Sequence, residues 1–160
     1  MVIRKHHLLI AFLIIAVFCS ALTSYYWIST NHKSEEGFGI FLSENNTLVI
    51  SDQDIIWYNV TSHEVKLTQS GADKIDALNV SVFGTQFVAK IDGREIYKGT
   101  FMTPISSVSA PPSNVVIETF FQNNTIKIQI GYPPMQPPGK DPRINSEIFN
   151  HFQNLNKLVQ

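Results

Sequence analysis

The hydrophobic positions follow three patterns in turn along the chain. The first is an unbroken apolar run, LLIAFLIIAVFCSALTSYYWI, residues 8–28, without a formal charge. About 20 such residues in helical form cross the roughly 30 Å hydrocarbon layer of a bilayer. The preceding residues 1–7 carry Arg4 and Lys5, which predicts a cytoplasmic N-terminus. Tyr25, Tyr26 and Trp27 fall where such a helix leaves the lipid, the level amphipathic rings favour. The expectation is a single-pass signal-anchor in the cell membrane. Residues 1–7 form its cytoplasmic flank, residues 29–36 a polar tether, and residues 37–160 an extracytoplasmic domain. A cleaved signal peptide is the alternative, with a core of Leu8 to Phe18 and small residues at Cys19, Ser20 and Ala21. Bulky Phe18 argues against lipid attachment at Cys19, which reads as a small buried apolar residue.

The second pattern has period two. Phe38, Ile40 and Leu42 occupy alternate positions, and Leu48 to Ile50 follows a turn at Glu44 to Asn46. Ile55–Tyr58 and His63–Leu67 are further strands, with Val65 and Leu67 alternating with Glu64 and Lys66. Phe87, Ala89 and Ile91 lead into Asp92-Gly93, a two-residue hairpin signal, and a return strand ends near Phe101 before Pro104. SSVSAPPS reads as a loop. Asn114–Phe121 and Thr125–Ile130 are two more strands. Residues Tyr132–Pro142, with two proline pairs, predict an extended, polyproline-like strap.

The third pattern has the helical period. Ala72, Ile75 and Leu78 share one face of a short helix over Gln69–Leu78, with Thr68 as its cap. Ile148, Phe152, Leu155 and Val159 line a C-terminal helix over Ser146–Gln160, capped by Asn145 or Ser146. This order predicts an α+β domain with a mostly antiparallel sheet, a ferredoxin-like β-α-β-β unit over Glu64–Phe101, and a C-terminal helix.

Charge and composition narrow the partners. The net charge is -1, and the remainder is -3 once Arg4 and Lys5 are set aside. No basic tract follows the apolar run, which argues against nucleic acid. Cys19 is the single cysteine, so no disulfide framework or thiolate metal site is available. Four N-x-Ser/Thr sequons, at Asn45, Asn59, Asn79 and Asn123, fit an exported glycoprotein; with twelve asparagines, some arise by chance.

The stretch VKLTQSGADKIDAL, followed by Gly84 and then FVAKIDGREIYKGTFMTPIS, resembles the extracytoplasmic head of the protein-export subunit SecD over about 40 residues. The resemblance rests on Leu67, Thr68, Gly71, Ala72, Ala89, Asp92, Gly93 and Pro104. It implies a strand-helix-hairpin unit and an accessory role in handling exported chains. SecD has several membrane helices and this chain has one apolar run, so the resemblance is to a tethered head subdomain. Fold likeness does not carry activity with it.

Candidate chemistry is sparse. His6 and His7 lie in the flank and His32 in the tether, which leaves His63 and His151 in the domain without metal-ligand spacing. Ser106, Ser107, Ser109 and Ser113 lack a nucleophile-elbow context. Asp52 and Asp54 begin no complete calcium loop, and Asp73, Lys74 and Asp76 read as a solvated helix face. No catalytic, cofactor or metal residue is nominated. The expected function is an accessory domain that binds a protein at the outer membrane face, and the resemblance implies a partner related to protein export. The expected contact surface is Phe87, Asp92, Gly93, Arg94, Tyr97, Tyr132 and Pro134. A self-associating envelope protein and a small hydrolase with a dispersed site are the alternatives.

Overall fold

Local signals set the elements in the computed structural model, which describes residues 36–160. Four strands come first, β1 (Phe38–Leu42), β2 (Leu48–Ser51), β3 (Ile55–Asn59) and β4 (Glu64–Leu67), followed by α1 (Gln69–Asp76). Then come β5 (Thr85–Ile91), β6 (Arg94–Met102), β7 (Ala110–Glu118), β8 (Thr125–Tyr132), α2 (Ser146–Asn154) and β9 (Leu158–Val159). Thr68 caps α1 by accepting from the Gly71 N–H, and Asn145 caps α2 by accepting from Glu147 and Ile148. Asp92 and Gly93 both have positive φ, the conformation that a two-residue hairpin turn requires.

The strands form one sheet in the order β2-β1-β5-β6-β7-β8-β4-β3-β9. Its pairs are antiparallel except β6 with β7 and β3 with β9. The architecture is therefore α+β with a mostly antiparallel sheet, as the alternation predicts. The ferredoxin-like unit is not formed. That unit would set β6 directly between β5 and β4, whereas β7 and β8 are inserted between β6 and β4. The β4-α1-β5-β6 succession is present, but its pairing partners come from later in the chain.

The sheet curls until its two flanks meet. The β2 and β3 strands, far apart in the order, are joined by a single 3-10 turn, Asp52–Asp54. Side chains from β1, β2, β3, β4, β6, β8 and α2 surround one cavity of about 10 Å³, nearly all apolar. That is space for one water at most. The Phe152 ring of α2 lies 5.1 Å from the Phe38 ring of β1 and 5.6 Å from the Tyr58 ring of β3. It thus fills the space between the flanks.

Asp54 locks the turn. Its side chain is 7% exposed and accepts from the Ser51 N–H (2.9 Å), the Ser51 hydroxyl and Lys74 Nζ (2.7 Å). Its carbonyl accepts from the Thr68 N–H. A Cβ on Gly71 would sit 2.8 Å from that carbonyl, so α1 approaches this closely only with glycine there. Lys74 is thus no purely solvated residue, contrary to the sequence expectation. Burial alone would raise the Asp54 pKa. The Lys74 and Ser51 hydrogen bonds and the Lys74 charge outweigh it and hold the carboxyl below its usual range.

Three boundaries differ from the sequence expectation, each for a backbone reason. Helix α2 stops at Asn154 instead of running to Gln160. Asn156 adopts positive φ, which ends the helix, and Leu158–Val159 then pairs with the free edge of β3. Strand β7 starts at Ala110, inside the segment expected as a loop. Pro111 and Pro112 lie in a register shift between Ala110 and Val115, where no ladder N–H is required. The Tyr132–Pro142 segment doubles back on β8 and is not an extended polyproline piece: Met135 N–H donates to the Ile130 carbonyl, and Arg143 donates to that of Ile128. The anchor, flank and tether expectations fall on residues 1–35, outside the described residues. Among the described residues, no helix is long and apolar enough to cross a membrane.

Two outcomes test this account. Asp54→Ala should cost about 2–3 kcal/mol at pH 7, the loss of hydrogen bonds to a buried charge, by urea unfolding. Lys74→Met should cost about 1–3 kcal/mol, because it leaves the buried Asp54 carboxylate with only its Ser51 hydrogen bonds. A depressed folded pKa adds stability above the unfolded value of about 3.9, and that stability is lost as pH falls through the folded value. The gap between wild type and Asp54→Ala should therefore shrink below about pH 4; a constant gap would show that the charge is not responsible. Separately, a Cβ on Gly99 would lie 2.3 Å from the Phe87 ring and 2.6 Å from the Val115 carbonyl. Gly99→Ala should cost about 1–3 kcal/mol, with partial recovery on adding Phe87→Leu. Strict additivity of the two would refute the clash.

Candidate partner-binding surface

The residues expected to form a contact surface divide on folding. Phe87 and Tyr97 are buried: Phe87 packs its ring 4.9 Å from Phe101, and Tyr97 lines the central cavity. The alternation along β5 and β6 turns these two rings inward, so neither presents a surface to a partner. Asp92 is exposed but holds the start of the domain: its carboxylate accepts from the Gly37 N–H, and its own N–H donates to the Gly37 carbonyl. Gly93 is half-buried in the turn. Arg94 is exposed and pairs with Glu147 of α2 at 2.6 Å. Tyr132 is half-buried, its hydroxyl 3.4 Å from both the Thr103 carbonyl and a Glu118 carboxylate oxygen. Pro134 is exposed. The structure does not gather these seven residues into one patch. The β5 edge of the hairpin is paired along β1, and the β6 edge is paired with β7 only from Gly99 to Met102.

A different surface emerges at the other end of the sheet. β5 starts at Thr85, opposite Phe101, and the parallel strands β6 and β7 finish side by side at Met102 and Glu118. Three connections meet at this end: residues 77–84, 103–109 and 119–124. Ser107 N–H donates to the Val82 carbonyl, tying the first two together, and Thr119 N–H donates to the Met102 carbonyl beside the third. Gly84, with positive φ, lets the first loop lie against β6, since a Cβ there would meet Thr100 at 2.5 Å and Met102 at 2.8 Å. On these loops Phe83 is 69%, Ile105 77% and Phe120 69% exposed, with Val82 and Val108 partly exposed beside them. None of the three loops carries a charged residue. Sequence reasoning missed this surface because the loops are distant in sequence. The available signal was the absence of charge through residues 77–89, 99–117 and 119–126.

The sequons distribute unevenly. Asn45 is exposed in the β1–β2 turn, Asn79 in the first loop and Asn123 in the β7–β8 turn, all at this same end. Asn59 is half-buried beside the β3–β4 turn, where its side-chain oxygen accepts from the Thr61 and Ser62 N–H groups.

The titratable groups of the interior are structural. Tyr58 Oη lies 2.9 Å from His63 Nδ1, both residues buried. Burial pushes the Tyr58 phenol pKa up, with Arg143 opposing and Asp141 adding. Burial likewise lowers the His63 pKa, and the Arg143 and Lys127 charges add to this against Asp141. Asp141 is held low by its hydrogen bonds from Arg143, which outweigh its partial burial. The cavity that Tyr58 borders, at about 10 Å³, has no room for a substrate. His151 Nε2 lies 3.0 Å from Asp52 Oδ2, joining α2 to the 3-10 turn. Asp52 and Asp54 are therefore engaged in fold contacts, and among the described residues no group of three His, Cys, Asp or Glu side chains converges as a metal site would require. Ser106 accepts from the Thr103 N–H in the second loop, remote from His63 and His151. No family model, curated protein or solved structure matches the chain.

Proposed function

We infer that the domain binds a protein partner at the outer face of the cell membrane, through the three uncharged loops, with residues 8–28 as its anchor. The observation that carries this reading is the exposure of Phe83 and Ile105 on two hydrogen-bonded loops without charge at one end of the sheet. Aromatic and aliphatic anchors free of charged neighbours are the composition of interface centres. A lipid surface fits less well. The loops offer no lysine or arginine to anionic headgroups, and the chain enters the domain at Gly37, beside the opposite hairpin. The seven residues of β5 separate the two ends by about 23 Å. A tethered domain gains effective concentration toward membrane-bound partners. The likeness of residues 65–106 to the SecD head points to exported chains or translocation components as the partner class. Self-association through the same loops is the second reading, because a second copy would cover the same apolar end.

Crosslinking of the full-length chain in intact membranes, with mass spectrometry of the captured proteins, tests this. Phe83→Asp combined with Ile105→Asp should lower partner recovery at least about tenfold, the effect of losing one interface hot spot. The urea midpoint should stay unchanged, since both side chains are exposed. Undiminished capture by the double variant would refute this surface. Capture of the chain's own copies alone would select self-association.

A further inference from the structure

We propose that Asn123 is an N-glycan acceptor whose first sugar stacks on the exposed ring of Phe120. The proposal rests on the exported placement inferred above. Four sequons are present, and the structure separates this one from the others. The Asn59 side chain is half-buried and holds its own turn. The Asn45 side-chain oxygen accepts from the Thr47 N–H. Asn79 is exposed, but the middle residue of its sequon, Val80, packs against the core.

Asn123 sits at the first central position of a rigid two-residue turn. Asn123 and Asn124 both have positive φ, and Thr125 N–H donates to the Gln122 carbonyl at 3.0 Å. The turn backbone is fastened to β4: the Leu67 N–H donates to the Asn124 carbonyl, and Lys66 Nζ donates to that of Asn123. The sequon hydroxyl of Thr125 donates to the Asn123 carbonyl, on the acceptor's own side of the turn. The Asn123 side chain is exposed and takes part in no hydrogen bond among the described residues. Three residues before it stands Phe120, 69% exposed, whereas its neighbour Phe121 packs on the core. An aromatic face carries partial negative charge and attracts the weakly positive C–H face of a pyranose ring. Phe120 is thus the exposed aromatic residue three positions before the acceptor, and the turn does not have to be ordered for a contact between its ring and the sugar.

The donor is an oligosaccharide linked to a lipid phosphate or diphosphate, presented by a membrane transferase outside the cytoplasm. Asn123 Nδ2 forms a bond to the anomeric carbon as the bond from that carbon to the phosphate oxygen breaks. The lipid phosphate leaves with the electron pair, one amide proton passes to a base of the transferase, and no redox change occurs.

The test is expression of the full-length chain in a host that glycosylates N-x-Ser/Thr sequons. Protease accessibility then gives the side of the membrane, and peptide mapping gives occupancy. The expected result is an exported domain with Asn123 occupied and a urea midpoint that falls when the glycan is removed enzymatically. Phe120→Ser should abolish that fall while leaving occupancy unchanged, and the deglycosylated forms of wild type and Phe120→Ser should unfold at similar midpoints. An exported domain with Asn123 bare would overturn this proposal alone, whatever the state of the other sequons. Occupancy with a glycan effect unaltered by Phe120→Ser would overturn the stacking. A domain left on the cytoplasmic side would overturn both the export reading and the modification.

Discussion

Closure of the curled sheet depends on one carboxylate. Asp54 stands at the three-residue turn that carries the chain from β2, at one flank of the sheet, to β3 near the other. A buried charge is costly unless it is paired and hydrogen-bonded. Ser51 meets part of that requirement within the turn, and Lys74 completes it only when α1 lies against the turn. Gly71 permits that approach, and the Thr68 N–H fixes its height by donating to the Asp54 carbonyl. The turn, the helix and the end of β4 therefore form as a unit. With the flanks so joined, Phe152 has a space to fill between Phe38 and Tyr58.

The two ends of the sheet then acquire opposite characters. The end at which the chain enters is tied down by polar contacts: Asp92 with Gly37, Arg94 with Glu147, and His151 with Asp52. These use the charged groups to fasten loops and α2 to the sheet. The three loops of the other end carry no charged residue of their own. Backbone hydrogen bonds and a few side chains from the neighbouring strands hold them, Lys66 on the Asn123 carbonyl among them, and Phe83, Ile105 and Phe120 stay exposed. This exposed apolar end is the surface that the proposed partner would cover.

The alternative of an internal catalytic site has less physical support. Burial favours the neutral forms of the Tyr58–His63 pair, raising the phenol pKa and lowering that of the imidazole. The cavity beside it is smaller than any substrate. Asp141 and Arg143 neutralise one another, and Arg143 donates to the Ile128 carbonyl, which pins the returning strap to β8. These groups join segments that would otherwise leave buried backbone atoms unpaired.

Local chemistry was legible in the residues themselves. Alternation identified the strands, Thr68 and Asn145 marked the helix starts, and Asp92-Gly93 marked the hairpin, because each depends only on neighbours within a few positions. The α+β class followed from the order of those elements. Pairing was not legible. Nothing near β6 announces that β7 lies beside it in parallel, or that β7 and β8 separate it from β4, since those choices depend on burial summed over the whole sheet. The C-terminal stripe ending in Val159 looked helical, and only the free edge of β3 turned its last residues into a strand. The contact surface failed for the same reason. Phe87 and Tyr97 lie in the hairpin expected to carry the contact surface, yet the curl of the sheet puts both inside. Phe83, Ile105 and Phe120 are dispersed in sequence, and their gathering at one end is a property of the tertiary fold.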